Sequence, residues 1–367
     1  MDTANSKTYL GLWSRAAMLL LMALLWTNCL DEIDLAQGIP LPEGIVVSGR
    51  LLAGEQFNEA EVTLEELFRF EESNRPAQVV TADVSIVNGD GQSMELIFRD
   101  GKYSGSLPAN DPSFLVEDGM TYSVNVRTRE GGTYFSEEET LLPALVPTSA
   151  SVEMAEIETA NLIGNPVFLP AIEYRISSPI RYADGSPAYL RWLMNETYQQ
   201  TDESRDTVTG IKTCYTSVAF EGLKVKVASS PEGAAQITDF SLGKNRIDFG
   251  YAEGNYMVVR QESISRLAFD YFDQVRQIAS TELSIFEAPG GPVIGNIAAG
   301  DESITNVYGY FYVARPATIR IPVTPEDAGN PTLACPLLVD MPPPVSRCTD
   351  CLTVRNATIV RPEWWNL

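Results

Sequence analysis

The sequence predicts a mainly β protein in two folded parts, and three observations carry that expectation. Short runs in which apolar and polar residues alternate recur between residues 43 and 145, separated by glycine-bearing turns. Bulky, β-prone runs return beyond residue 150. Only one segment, from Ser263 to about Phe286, switches to helical spacing.

Taken in order, the first part contains "GIVVSGRLL", "ADVSIVNGDGQSMELIF", "GKYSGSL" and "TYSVNVRTREGGTYFSEEETL". In "YSVNVR", Tyr122, Val124 and Val126 share one face, and Ser123, Asn125 and Arg127 share the other. "NGDG" and "EGG" are hairpin turns, because glycine accepts the positive φ they require. Several such strands over about 100 residues predict an immunoglobulin-like β-sandwich across residues 43–145. "ELFRFEESNRP" interrupts the pattern and is expected to be a loop or a strand edge.

"LLPALVPTSA", residues 141–150, carries Pro143 and Pro147 and marks the joint to a β-rich second domain, residues 146–367. There "SVEMAEIE", "PAIEYRI" and "SPIRYADGSPAYLRWLMNETYQ" are strand-like, with Tyr189, Trp192 and Tyr198 as bulky apolar surface. The polar stretch "QQTDESRDTV" is expected to be an exposed loop. In the helix, Ile264, Leu267, Ala268, Tyr271, Val275 and Ile278 recur at three and four residues, opposite a face of Arg266, Asp270, Asp273, Gln274 and Gln277. "APGGPVIGNIAAGDE" is glycine-rich, but it follows a helix and lacks the Gly-Lys-Ser/Thr ending of a phosphate cradle. "NVYGYFYVARPATIRIPV" is expected to be a strand pair turning near Pro316. Within it Tyr310 and Tyr312 share a face opposite Phe311; core packing is the commoner role of such strands, and sugar stacking the sharper one. The tail is rich in proline and then cysteine, and its Trp364 and Trp365 are expected to anchor the C-terminus in the second domain.

The N-terminal stretch has a weakly basic start with Lys7 and Arg15, an apolar run from Ala16 to Trp26, and then Cys29. That run has the length of a secretory h-region and is too short for an ordinary membrane anchor. A buried helix would instead need polar residues at helical spacing within it. Residues 1–28 are therefore expected to be a signal peptide, and residues 29–42 a tether rich in polar residues, Gly and Pro.

An exported chain is oxidised, so the four later cysteines, Cys214, Cys335, Cys348 and Cys351, are expected to form two disulfides. Three pairings are open. Zinc is disfavoured, because there is no histidine and no second Cys-x-x-Cys. A thioredoxin-like site is disfavoured too, because "CTDC" follows the proline-rich "MPPPVSR".

The chain carries 26 basic and 49 acidic side chains, a net charge of −23, and no histidine. Such a surface repels nucleic acid and anionic headgroups. Without histidine, Ser-His-Asp and Cys-His nucleophiles and His-ligated metals are excluded. Carboxylate-pair hydrolysis stays open. Neither metal nor cofactor is expected.

The position of Cys29 resembles the acylated cysteine of a bacterial lipoprotein, although Trp26 and Asn28 depart from the usual lipobox. The acidic "LDEID" behind it, with Asp31, Glu32 and Asp34, resembles the surface-export signal of Bacteroidota lipoproteins. Together with "DGKYSGSL", "GMTYSVNV", "GGTYFSEEETLLP", "GNIAAGDESITNVYGYFYVA" and the ending "CTDC…RPEWW", the chain resembles a Bacteroidota lipoprotein family, domain of unknown function 4249, from about Leu41 to Trp365. Arg361 and Trp364 stand where family members tend to have Lys and Phe. The resemblance implies an outer-membrane lipoprotein facing the cell surface, lipidated at Cys29, with the four later cysteines structural, accompanying a TonB-dependent, SusC-like transporter. It implies no catalytic residues.

The expected function is thus a lipid-anchored, non-enzymatic binding or accessory module. The alternatives are a carboxylate-based glycan or peptidoglycan hydrolase and a purely structural envelope component. Asp206-Thr207-Val208 matches a short Bacteroidota O-glycosylation pattern, which makes Thr207 a candidate acceptor.

Overall fold

Alternating burial along the chain turns most of it into strands. The computed structural model describes residues 44–67, 77–204, 210–220, 225–230, 233–280, 293–301, 304, 306–335 and 346–367. The expected signal peptide, Cys29, the tether and Thr207 lie outside these residues, and so do residues 281–290 at the expected end of the helix.

The N-terminal strands are β1 (Gly44–Ala53), β2 (Phe57–Glu66), β3 (Ala82–Asn88), β4 (Ser93–Arg99), β5 (Lys102–Pro108), β6 (Thr121–Thr128), β7 (Thr133–Ser136) and β8 (Glu139–Thr140). The expected turn at "NGDG" joins β3 to β4, and Gly91 takes the positive φ of 81° it needs. In β2 the alternation hides among glutamates: Asn58, Ala60, Val62 and Leu64 are buried, while Glu59, Glu61 and Thr63 face the other way. That strand ends at Glu66, and residues 68–76 of the stretch expected to be a loop or a strand edge lie outside the described residues.

These strands follow the order β7-β6-β3-β4-β5-β2-β1. β4 lies beside β3 along its first half and beside β5 from Ile97 to Arg99, so it joins two layers. Val47, Val62, Val84, Ile86 and Val124 from both layers meet in one core. Apolar burial of about 25 cal/mol per Å² makes that shared interior the main support of this part.

Next come β9 (Ser149–Ala160), β10 (Pro166–Pro179), β11 (Tyr189–Thr201), β12 (Thr213–Ala219), β13 (Lys226–Ser229), β14 (Gln236–Arg246) and β15 (Asn255–Ile264). Helix α1 (Arg266–Ser280) follows, then β16 (Ile297–Ala299), β17 (Asn306–Tyr308), β18 (Phe311–Val323), the short α2 (Ser346–Thr349) and β19 (Ala357–Thr358). β9, β10 and β14 form a three-stranded sheet in the order β14-β10-β9. It packs on the larger sheet around Ile172, Trp192, Met257, Val259 and Ile321. Among the described residues no helix is long and apolar enough to cross a membrane.

β18 comes from beyond the joint at residues 141–150, yet it extends the N-terminal sheet. It runs parallel to β1, with Arg50 opposite Tyr312 and Leu52 opposite Ala314, and antiparallel to β15. Phe311 and Val313 accordingly enter the N-terminal core. Residues 42–367 form one compact unit.

Three local expectations are corrected. No turn forms at Pro316, which pairs with Glu262 inside the 13-residue β18. Proline is tolerated there because pairing with β1 ends at Ala314, leaving one edge of β18 open. The break falls instead at Gly309, between β17 and β18, where a side chain would collide with the backbone of Val47.

The helix begins at Arg266, because Ser263 and Ile264 belong to β15. Ser265 Oγ accepts the N–H of Ala268 at 3.0 Å and caps it. Its packed face is Ala268, Phe269, Tyr271 and Phe272, whereas Leu267 and Ile278 are exposed. The polar stretch after Tyr198 is not simply an exposed loop either. Gln200 and Asp202 are buried, and β11 runs through Thr201.

The cysteines pair Cys214 with Cys351 and Cys335 with Cys348. The two cysteines of "CTDC" thus take different partners. Asp350 between them caps the short turn Cys351–Thr353 by accepting the N–H of Leu352.

Candidate functional site

Strand alternation decides what lies on the face of the large sheet opposite its cores. Ile45, Val47 and Leu51 of β1 point into the N-terminal core, so Ser48 and Arg50 point out. By the same period β2 presents Glu61 and Thr63, β11 presents Tyr189 and Arg191, and β18 presents Tyr312. Register then sets Arg50 between Glu61 and Tyr312, and Arg191 opposite Glu262 of β15. Helix α1 covers this face with Phe269, Tyr271 and Phe272. A cavity of about 220 Å³ remains between helix and sheet.

Its wall is a ladder of charges. Arg50 Nη2 donates to Glu61 Oε2 at 2.7 Å, and Lys102 Nζ donates to Glu61 Oε1. Arg191 Nη1 donates to Tyr312 Oη at 2.5 Å, and Tyr312 Oη donates to Glu262 Oε2 at 3.0 Å. Arg260 Nε lies 3.0 Å from Glu262 Oε1, close enough for an ion pair but not aligned as a hydrogen bond. Glu262 itself is fully buried beneath the wall. The residues lining the cavity therefore carry three cations, Arg50, Lys102 and Arg191, against one carboxylate, Glu61.

The other side is aromatic. The Arg191 guanidinium lies 3.9 Å from the centre of the Phe272 ring. The rings of Tyr271 and Tyr310 face each other at 4.8 Å, tilted by 32°. Tyr310 donates to the buried Glu139. Tyr310 and Tyr312 thus share a face opposite Phe311, as the sequence implies, and both line the cavity while packing under the helix.

The charges set what this wall can do. Burial works to raise the Glu61 carboxyl, but the hydrogen bond from Lys102 and the charges of Arg50 and Lys102 outweigh it and hold Glu61 below the ordinary carboxylate range. Burial drives the Tyr312 hydroxyl up to about 12. At neutral pH the cavity offers a ligand cations, hydroxyls and ring faces. Its one lining carboxyl is ionised and doubly paired, which is the wrong state for a general acid.

A second polar cluster, at the C-terminus, is structural. Carboxylate and sulfur atoms of Asp202, Asp350 and Cys351 lie within 4.8 Å of one another. The Cys351 sulfur is in a disulfide, however, and Asp202 accepts the backbone N–H groups of Lys212, Ser204 and Cys351 and pairs with Lys212 Nζ at 3.2 Å.

Of the residues singled out from sequence, the four cysteines meet in this C-terminal region and Tyr310 and Tyr312 meet in the cavity. Arg50, Glu61, Lys102 and Arg191 were not legible as a site. Each reads as the polar member of an alternating strand, and only register brings them together.

A model of the family described as Domain of unknown function (DUF4249) matches residues 33–320. No curated protein matches the chain. Among solved structures, the native conformation of E. coli alpha-2-macroglobulin, a cryo-EM reconstruction, is similar over 63% of this chain at 10% identity and a TM-score of 0.17. This chain spans 14% of that one, and so slight a likeness carries no argument.

Proposed function

The chain belongs to the family described as Domain of unknown function (DUF4249), and from that premise we propose that it is a lipid-anchored, non-enzymatic binding module of the bacterial outer membrane. In this reading the chain is acylated at Cys29, faces the cell surface, and works beside a TonB-dependent, SusC-like transporter. Residues 43–145 act as an immunoglobulin-like spacer, a description supported by the two layers that β4 joins.

The observation that carries the binding role is the cavity beneath α1, with spare cationic donors, an aromatic side and an ionised, doubly paired Glu61. A carboxylate hydrolase needs one acid that holds its proton near neutral pH. Glu61 is shifted the other way, so the hydrolase reading draws no support from this cavity.

The anchor is tested by replacing Cys29 with Ala. Acylation is then lost and the protein leaves the membrane fraction, since firm attachment needs the several acyl chains of a mature lipoprotein. A variant that still sediments with membranes and carries labelled fatty acid overturns this reading. The transporter association is tested by purifying the wild-type protein from detergent-solubilised outer membranes. A stoichiometric TonB-dependent transporter supports it, and a chain recovered alone overturns it.

A further inference from the structure

From the cavity beneath α1 we infer a ligand class: a small organic molecule that bears one carboxylate on an apolar or ring-shaped body. This rests on the binding-module reading and says what the module binds.

The chain as a whole carries −23, yet the cavity wall sets Arg50, Lys102 and Arg191 against Glu61, with Glu262 behind it pairing with Arg191 at 3.6 Å and Arg260 at 3.0 Å. Clefts lined by one sign of charge concentrate ligands of the other sign, here against the field of the rest of the surface. Glu61 is shared by Arg50 and Lys102, and Glu262 by Arg191 and Arg260, so cations outnumber carboxylates in and behind the wall.

Donor geometry narrows the class. Arg50 and Lys102 each carry more N–H groups than their contacts with Glu61 use. Arg191 lies over the Phe272 ring and is tied to Tyr312, which pre-orients its planar fork. A fork of this kind matches the two oxygens of a carboxylate. The Glu61 carboxylate sits between Arg50 and Lys102 as a built-in anion, marking where a ligand carboxylate is stabilised. Its own negative charge disfavours a dianion such as phosphate.

Size and surface complete it. About 220 Å³ is below the usual range for drug-sized ligands, so one sugar ring or one amino acid fills it. The Tyr271 and Tyr310 rings offer a face for the body of the ligand. Two sources share this chemistry: an acidic sugar and the carboxylate end of an amino acid or peptide.

The test is calorimetric titration of the full-length, detergent-solubilised protein with four probes: glucuronate, glucose as its neutral counterpart, N-acetylphenylalanine and inorganic phosphate. At least one carboxylate probe binds, at least about tenfold more tightly than glucose and phosphate, a difference of about 1.4 kcal/mol. The preferred carboxylate identifies the source. Its affinity falls as salt rises. Arg50→Gln and Lys102→Gln each weaken it by about tenfold. Glu61→Gln removes the competing charge, keeps a folded chain by melting temperature, and tightens binding several-fold. Glucose binding as well as glucuronate, phosphate binding as well as either carboxylate, or an affinity unmoved by both salt and Glu61→Gln overturns the inference. Neutral-sugar binding that Phe272→Ala abolishes overturns the carboxylate alone and leaves the binding module standing. If no probe binds, the inference fails, and the Cys29 and transporter experiments still decide the wider reading.

Discussion

The carboxylate of Asp202, at the end of β11, accepts the backbone N–H of Cys351 at 3.1 Å, across 149 residues of sequence. The backbone N–H of Glu203 donates to the carbonyl of Cys348 at 2.9 Å, so both cysteines of "CTDC" are tied to one short segment. The disulfide from Cys214 to Cys351 closes the same junction. The tail is therefore held by a buried ion and a covalent bond together.

Asp202→Ala should be among the most destabilising single changes in the chain. It strands several backbone N–H groups and leaves the mostly buried Lys212 ammonium only the longer pair with Asp350 at 3.6 Å, a loss of about 3 kcal/mol. Burial pushes the Asp202 carboxyl up, but hydrogen bonds from the N–H groups of Lys212 and Cys351 and from the Lys212 ammonium bring it below its ordinary value. A folded-state value below the unfolded one contributes stability that is present above about pH 4 and lost as pH falls through the folded value. Urea midpoints should show the difference between wild type and Asp202→Ala shrinking in acid. A constant difference would refute the electrostatic part.

The two disulfides should differ in worth. Cys214–Cys351 spans 137 residues and Cys335–Cys348 spans 13. Loop-closure entropy gives about 4–5 kcal/mol for the first and about 3 kcal/mol for the second. Paired Cys→Ser variants, compared by denaturant midpoint, should fall in that order. Thiol titration of the denatured, unreduced protein should find almost no free thiol at these four positions.

Trp365→Ala should cost about 3 kcal/mol and Trp364→Ala about 1 kcal/mol. Trp365 is 3% exposed, with Tyr215 and Tyr256 at ring distances of 5.1 and 4.9 Å, and its carbonyl accepts from Arg361. Trp364 is only half-buried and meets Tyr256 and the Arg320 guanidinium. Equal losses in thermal or denaturant melting would argue against this ranking.

Glu139 should make stability fall with rising pH. Burial raises its carboxyl above the ordinary range despite the hydrogen bonds from Tyr310 and Ser265. A raised folded-state value means a contribution that is full below the unfolded value and lost as pH rises through the folded one. Glu139→Gln keeps an acceptor for Tyr310 and cannot titrate. Its urea midpoint should therefore change less than that of the wild type from about pH 4 to about pH 8. Some slope remains, because burial also raises Glu196. An unchanged slope would assign the effect elsewhere.

Local pattern determined much of this protein. Period-two alternation is a property of a few consecutive residues, so strands such as β3 and β6, the hairpin at Gly91 and the opposed faces of Tyr312 and Phe311 follow from sequence alone. The even cysteine count in a chain with an export-like leader made a disulfide staple the expected role of "CTDC", although three pairings stayed open. β2 is hidden in the sequence because its glutamates mask a weak apolar series, and Pro316 suggests a turn because no single segment shows that one edge of β18 is open. The helix was legible and its packed face was not, since the choice between Leu267 and Phe272 depends on the sheet beneath. The same holds for the cavity. Lys102 and Arg191 are remote in sequence from the Arg50–Glu61 pair of the β1–β2 hairpin, and the register β5-β2-β1-β18-β15-β11 brings them together. Tertiary structure decided the site because strand pairing is a long-range choice, made by the fit of whole faces and carried by no single segment.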